Sequence, residues 1–198
     1  MTNIRGQLLL FLVFWVSVGC KTDYQNLPAF SDKKQWQAVV ETPSGNTVPM
    51  RYDAKEKTFV PVTEAGRPRV MEFLPYLGNH GFIPSTSVDT AVGQPAAPLP
   101  VLVLSERKEP GTVLEILPVA VLITERDDIW HHLIIAVPAR PTEQTISPIS
   151  YADFSARYPA VKAIVQQWYL AENRHQPTRL VGWRDGAFAE QLIQRWVK

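Results

Sequence analysis

Cysteine is almost absent from this sequence. Cys20 is the only one in 198 residues, so no disulfide can form within the chain and the fold must be stabilised by packing. An excess of charge of one sign is also missing. Twenty basic and 19 acidic residues give a formal net charge of +1, and without a basic stripe nucleic acid is not expected as a partner.

Several motifs of common enzyme classes are absent as well. The chain has no glycine-rich phosphate loop, no HExxH pair and no GxSxG elbow. Its N-terminal apolar run, residues 8–18, is too short to cross a bilayer. The sequence therefore gives no direct sign of a nucleotide-binding loop, a zinc protease or a serine hydrolase.

What is present at the N-terminus is typical of an exported protein. Arg5 precedes the apolar run, and the small residues Ser-Val-Gly close it immediately before Cys20. The pattern resembles a bacterial lipobox and predicts a signal peptide over residues 1–19, lipid on Cys20 and a polar tether over residues 20–34. We expect export and anchoring to a bacterial membrane, on its periplasmic or surface face. An unlipidated signal with an incidental cysteine is the alternative.

Beyond the tether, the composition fits one globular domain over residues 35–198. The chain is 45% hydrophobic and 20% charged, which suits a single core. Alternating and β-branched runs predict strands at residues 37–42, 50–53, 58–62, 99–104, 113–124 and 133–137. The proline-rich loop over residues 92–100 is not expected to be a central strand, since its prolines lack ladder donors.

The last third of the chain changes period. From residue 159 to 173, apolar residues recur at the spacing of one helix face, which predicts an amphipathic helix that includes Ile164, Trp168 and Tyr169. A strand over 179–183 and a final helix with Asp185 as its N-cap follow. Many strands followed by helix, strand and helix indicate the α+β class.

Two blocks of sequence identify a family. Residues 73–86 read FLPYLGNHGFIPST, and residues 98–106 read PLPVLVLSE. Together they resemble the active-site core of the soluble family I inorganic pyrophosphatases, which hydrolyse diphosphate to two phosphates with magnesium. The resemblance runs from about Gln35 to the C-terminus. It implies a small five-stranded antiparallel OB-like barrel flanked by two C-terminal helices.

The resemblance also implies positions for substrate and metal. Glu41 stands where the family has a first-strand glutamate, and Arg51 and Asp53 stand where it has a lysine and a glutamate. Arg69, or alternatively Arg67, matches the phosphate-binding arginine. Tyr76 matches the first motif tyrosine, and His80 replaces the second. By this comparison the phosphate-binding residues are Arg51, Arg69 and Tyr76.

Most of the implied metal ligands are replaced. The family's three aspartates fall on Pro95, Ala97 and Pro100, whose side chains have no ligand atoms. Glu125 stands near a further metal aspartate. Other replacements fall on the later aspartate and lysine and on the pair that grips the leaving phosphate, namely His131, Leu133, Glu172 and Asn173. The remnant metal set is Glu41, Asp53 and Glu125, and magnesium binding is expected to be lost or weak.

Three functional hypotheses follow from these replacements. The first is a catalytically dead or impaired pyrophosphatase-family lipoprotein that acts as a binding or scaffold module of the envelope. The second is a residual or remodelled diphosphatase that uses the remnant set with an additional acid such as Asp89, or a transition-metal site drawn from His80, Glu125, Asp127, Asp128, His131 and His132. The third is a metal-free pocket that binds diphosphate or another phosphorylated ligand through arginine.

Overall fold

The computed structural model describes residues 21–88, 96–172 and 177–198. Cys20, Asp89, Pro95 and Asn173, named above, lie outside the described residues. The strands are β1 (Trp36–Thr42), β2 (Met50–Asp53), β3 (Thr58–Pro61), β4 (Thr63–Glu64), β5 (Arg67–Pro68), β6 (Asn79–Val88), β7 (Ala97–Val103), β8 (Val113–Arg126), β9 (Ile129–Pro138) and β10 (Arg179–Asp185). The helices are α1 (Tyr151–Arg157), α2 (Pro159–Ala171) and α3 (Gly186–Trp196).

Five strands close into a barrel. Their order is β1-β6-β7-β9-β8, and β1 pairs again with β8 to complete the ring. Strand β10 pairs with β8 from outside the ring. All these pairs are antiparallel except β7 with β9, which is parallel. The predicted α+β class and small five-stranded barrel are therefore confirmed, in a sheet that is mixed rather than wholly antiparallel.

Two prolines lie inside a barrel strand, contrary to the sequence prediction. β7 begins at Ala97 and includes Pro98 and Pro100. The amide of Leu99 donates to Thr86 Oγ1 on β6 at 2.8 Å, so the alternate amide positions face β9. Pairing with β9 starts only at Val101. The missing N–H groups of Pro98 and Pro100 therefore cost no hydrogen bond between β7 and β9.

Gly81 marks the closest approach between two barrel strands. It lies on β6 opposite Val40 of β1. A Cβ atom built at this position would be 1.8 Å from the Val39 carbonyl oxygen, a distance that no side chain can occupy. A residue without a Cβ is therefore required where β1 and β6 meet.

Two buried clusters lie on either side of the barrel wall. The interior cluster takes apolar side chains from all five ring strands and is completed by Ala189, Leu192 and Ile193 of α3. The exterior cluster lies over β7, β8 and β9 and includes Phe154 of α1 and Val165 of α2. Helices α1 and α2 thus cover one outer side of the barrel, and α3 contributes to the interior.

The helix ends follow local capping chemistry. Asp185 accepts a hydrogen bond from the Phe188 amide at 2.9 Å, so its predicted role as N-cap of α3 is confirmed. Ser150 caps α1 in the same way by accepting from the Asp153 amide at 3.1 Å. The short helix α1 was not predicted from the sequence, so three helices are found where two were expected.

The segment before β1 packs on the barrel. Residues Tyr24–Asn26 form a 3-10 turn, Ala29 is buried, and Phe30 stacks on Trp36 with ring centroids 3.7 Å apart. Most of the predicted tether therefore belongs to the folded surface, although the boundaries at residues 19/20 and 34/35 stay predictions. Within the described ranges, no helix has the length and apolarity needed to span a membrane.

Candidate functional site

The candidate site lies where the end of β1, the loop before β6 and the end of α2 meet. Tyr76 is buried there, with its ring centroid 4.9 Å from that of Trp168 and 5.6 Å from that of His80. The Trp168 indole N–H donates to the carbonyls of Leu74 and Pro75, each at 3.0 Å. These contacts fix the first motif block against α2.

A buried amide organises the loops around the site. Asn79 is fully buried, and its side-chain oxygen accepts from the amides of Ser44 (3.1 Å) and Lys108 (2.8 Å). Its side-chain nitrogen donates to Ser105 Oγ at 3.0 Å and to the Glu106 carbonyl at 2.8 Å. All four hydrogen-bonding positions of this amide are filled, so Asn79 of the GNHGF motif serves structure rather than substrate.

Glu41 holds the β2–β3 hairpin to β1. Its carboxylate accepts the Tyr52 amide at 2.7 Å, which ties β2 to β1. Burial raises the pKa of Glu41 to about 7, while the Tyr52 hydrogen bond and the nearby Arg51 act in the opposite direction. Near neutral pH, in the absence of a metal, the carboxyl group of Glu41 is therefore partly protonated.

Asp53 and Glu125 also have other partners. Asp53 accepts the amides of Lys55 (3.0 Å) and Glu56 (3.1 Å), and these bonds, the Glu56 bond foremost, lower its pKa. It therefore caps the β2–β3 turn. Glu125 forms an ion pair with Arg179, which links β8 to β10.

The described residues do not offer a set of acids that fits a magnesium site. Among residues 21–88, 96–172 and 177–198, no group of three or more histidine, cysteine, aspartate or glutamate side chains is placed to hold a metal ion. The remnant set of Glu41, Asp53 and Glu125 is not brought together, and neither is the histidine-containing alternative. Ala97 is exposed and Pro100 half-buried on β7, and neither side chain has a ligand atom. The assignment of these acids as metal ligands stays a prediction.

The two histidine regions differ in their surroundings. Burial lowers the pKa of His80 to about 4, so this imidazole is neutral at physiological pH. His131 is exposed and His132 half-buried on β9, as expected for neighbours that point to opposite faces of a strand.

A compact electrostatic cluster connects Arg69 with Tyr76, Tyr169 and Glu172. Burial raises the pKa of Tyr76; the Glu172 charge adds to this, and Arg69 counteracts it. Burial likewise raises the pKa of Glu172, against the attraction of Arg69 and Arg126. Arg69 is half-buried, whereas Arg67 is exposed on β5, so Arg69 is the arginine that reaches the site.

Tyr169 was missed as a site residue by sequence reasoning. Its hydroxyl oxygen is buried without a hydrogen-bond partner among the described residues, and burial, followed by Tyr76 and Glu172, raises its pKa. The sequence signal was its place on the apolar stripe of α2, which indicates burial and says nothing of a polar group at the end of the ring. An unpaired buried hydroxyl is costly, so this group is a polar atom for which the described residues supply no partner.

Comparison with known proteins now identifies the family. A family model described as inorganic pyrophosphatase matches residues 38–198. The chain belongs to the inorganic pyrophosphatase family. Among curated family members, the inorganic pyrophosphatase of Aeropyrum pernix is 29% identical over 164 residues, covering 81% of this chain and 86% of the relative. That of Sulfolobus acidocaldarius is 27% identical over 164 residues, covering 81% and 88%.

Solved pyrophosphatase structures share the fold. The Thermus thermophilus inorganic pyrophosphatase superposes with a TM-score of 0.75 at 24% identity, covering 89% of this chain and 97% of that one. An N-terminally truncated vacuolar soluble pyrophosphatase of Trypanosoma cruzi, solved in complex with diphosphate, superposes with a TM-score of 0.71 at 16% identity, covering 86% and 70%. At these identities the likeness establishes the barrel and its helices.

Proposed function

We propose that this pyrophosphatase-family chain has lost most or all of the family's magnesium-dependent hydrolysis of diphosphate. It acts instead as a binding or scaffold module, exported and anchored to a bacterial membrane through lipid on Cys20. The observation that supports the loss of hydrolysis is that each remnant acid already has another partner. Glu41 holds the Tyr52 amide, Asp53 caps a turn and Glu125 pairs with Arg179.

The chemistry of the reaction makes that observation decisive for the proposal. Diphosphate is strongly anionic, and its attack by water requires divalent metals held by several converging carboxylates. Loss of a group that merely orients a metal ligand typically costs roughly 10–100-fold in metal affinity or activity. The resemblance implies that alanine and proline stand in place of the ligands themselves here, and that Glu172 adds a carboxylate where the family has a phosphate-binding tyrosine.

The test is an assay of the purified full chain with diphosphate and magnesium. We expect no phosphate release above a buffer blank. Turnover above about one per second, within the usual range for enzymes, would overturn the loss of catalysis. Glu125→Gln would then show whether the remnant acid takes part.

Restoration is the complementary measurement. Changing Pro95→Asp, Ala97→Asp and Pro100→Asp together should recover magnesium binding at best weakly. Turnover should stay low, since Glu172 and Asn173 still fail to neutralise the leaving phosphate. Adding Glu172→Tyr and Asn173→Lys should raise turnover more than either set alone, as expected for groups that act on one transition state.

A second candidate function, metal-free binding of a phosphorylated ligand, is favoured by the Arg69 cluster. Arg69 supplies a guanidinium group that can bind phosphate in a fork, and the unpaired Tyr169 hydroxyl supplies a further donor. Inorganic diphosphate with a metal chelator is the probe, measured by calorimetry. Arg69→Ala should weaken binding at least about tenfold, equivalent to about 1.4 kcal/mol. Arg67→Ala, its exposed neighbour, should leave binding unchanged, and equal effects of the two would exclude this site.

A further inference from the structure

The N-terminal strap, defined as residues 22–35, is fixed to the barrel from its first residue. The Tyr52 hydroxyl donates to the Thr22 carbonyl at 3.0 Å, and the Tyr24 amide donates to the same hydroxyl at 3.3 Å. The Tyr24 ring packs edge-on against Tyr52 and Phe59, with centroid distances of 5.5 Å and 5.1 Å. The beginning of the strap is thus held by both strands of the β2–β3 hairpin.

The rest of the strap is attached at intervals along the barrel. The Leu27 carbonyl accepts from Ser85 Oγ at 2.7 Å, and the Ala29 carbonyl accepts from the Gln37 amide at 2.8 Å. Gly111, at φ +84°, allows the chain before β8 to lie close to Tyr24, since a Cβ there would be 2.8 Å from the tyrosine hydroxyl. The strap is therefore a packed element, not a spacer.

This packing leaves a very short connection to Cys20. Cys20 and Lys21 together reach about 7 Å when extended, at roughly 3.3–3.6 Å per residue. A free tether of the 14 residues 21–34 would have a root-mean-square span of about 20 Å. The ammonium group of Lys21 donates to the Glu56 carbonyl in the β2–β3 turn at 3.0 Å, so the connection starts beside that turn.

We infer that the docked strap orients the barrel on the bilayer, with the turn of the β2–β3 hairpin, residues 54–57, held against the lipid headgroups. The inference rests on the proposed anchoring through Cys20. The bilayer is the occupant of this surface because the chain outside the described residues begins one residue away from it. Helices α1 and α2 cover β7, β8 and β9 and not the β2–β3 hairpin. We therefore expect them to face away from the membrane.

The orientation comes from the short connection and not from charge. Lys21, Lys55 and Lys57 lie at this turn together with three acids, Asp23, Asp53 and Glu56, and Lys57 is paired with Asp23 at 3.5 Å. These charges sum to zero. We therefore expect the same orientation on neutral and on anionic vesicles.

Fluorescence quenching at the membrane surface tests the orientation. The full chain, carrying either Ala54→Cys in the hairpin turn or Ala156→Cys in α1, is labelled with a thiol-reactive fluorophore and reconstituted into vesicles. A nitroxide on the lipid headgroup serves as quencher. Both alanines are exposed, so both positions accept a label. Quenching should be several-fold stronger at position 54, and the parent chain should take no label if Cys20 is modified.

Two variants separate the causes. A 14-residue Gly/Ser insertion after Cys20 leaves the strap docked but lengthens the connection, and it should abolish the difference between the two labels. Tyr24→Ala should abolish it by releasing the start of the strap, while the chain still floats with the vesicles. Equal quenching at positions 54 and 156, in labelled chains that float and carry neither of these two changes, overturns the orientation alone. A parent chain that does not float overturns the anchoring proposal, and the orientation with it.

Discussion

Glu41 shows how burial and one backbone hydrogen bond can change the chemistry of a single carboxyl group. The resemblance placed it among the metal ligands, and the sequence could not reveal that the Tyr52 amide occupies its carboxylate at 2.7 Å. Burial raises its pKa to about 7, so the folded protein resists the charged form that a metal would need. This shift has a measurable consequence for stability.

We predict that Glu41→Gln removes a pH dependence between pH 4.5 and 8. The usual pKa of 4.5 applies to the unfolded chain and about 7 to the folded one, so between these values the unfolded state binds fewer protons. The free energy of unfolding of the wild type should therefore fall as pH rises through this window. The difference, 7 minus 4.5 at about 1.4 kcal/mol per pH unit, is roughly 3 kcal/mol.

Denaturant melts at a series of pH values measure this change in the free energy of unfolding. The glutamine retains an acceptor for the Tyr52 amide, so the variant should gain stability relative to the wild type as pH rises. Asp53→Asn is the control, because the lowered pKa of Asp53 acts only at more acidic pH. A constant difference between wild type and Glu41→Gln from pH 4.5 to 8 would refute the assignment.

Some of the other site residues could be predicted from the sequence, and some could not. Tyr76 was indicated by the motif block, and Arg69, with Arg67 as the alternative, by the looser resemblance before it; Arg69 and Tyr76 lie close enough to interact electrostatically. Tyr169 was not indicated as a site residue. The apolar stripe of a helix shows which face is buried, but it does not show where the hydroxyl group of a buried tyrosine lies. Asn79 sits inside the motif, yet its role depends on the amides of Ser44 and Lys108, both distant in sequence.

At the scale of elements, β7 and α2 show where prediction fails and succeeds. The strand predicted over residues 99–104 is present in β7, but its start at Ala97 was missed, because sequence does not show on which side a partner strand begins. For α2 the 3.6-residue period was sufficient, and the helix spans Pro159–Ala171 as expected within two residues. Its stripe was only partly right: Trp168 is 2% exposed, but Ile164 is 54% exposed.

We predict that Trp168→Ala destabilises the protein by about 3–5 kcal/mol, since it empties a buried site and removes the donor to Leu74 and Pro75. Trp168→Phe should cost less, because it keeps an aromatic ring but loses both hydrogen bonds. Ile164→Ala on the same helix is the matched control and should stay within about 0.5 kcal/mol of wild type. Urea denaturation measures all three, and equal effects of Trp168→Ala and Ile164→Ala would show that α2 does not pack through this face.

At the scale of the whole molecule, the fold and the membrane localisation were predicted from different parts of the chain. The barrel follows from strand patterns and two motif blocks, and it is confirmed by the family match over residues 38–198. The membrane localisation depends on residues 1–20, which lie outside the described residues, and it stays a prediction. The connection between the two could not be foreseen, because a polar composition over residues 21–34 does not distinguish a free linker from a docked strap.

We predict that Cys20→Ser abolishes lipid attachment. Metabolic labelling with a radioactive fatty acid in a bacterial host should mark the wild type and not the variant, because only the cysteine can form the thioether. Vesicle flotation of the same samples measures membrane association. A variant that remains labelled would contradict lipidation at Cys20.

The close approach at Gly81 affects how kinship in this family should be interpreted. Gly81, which the close approach of β1 and β6 restricts to glycine, lies two residues after Asn79, which holds two loops, and neither role depends on hydrolysis. The residues of this short stretch that the fold requires therefore indicate family membership but not catalytic activity. A genome survey that assigns enzymes by this stretch alone would include family members that no longer hydrolyse diphosphate. The acids that follow the stretch would separate active from inactive members.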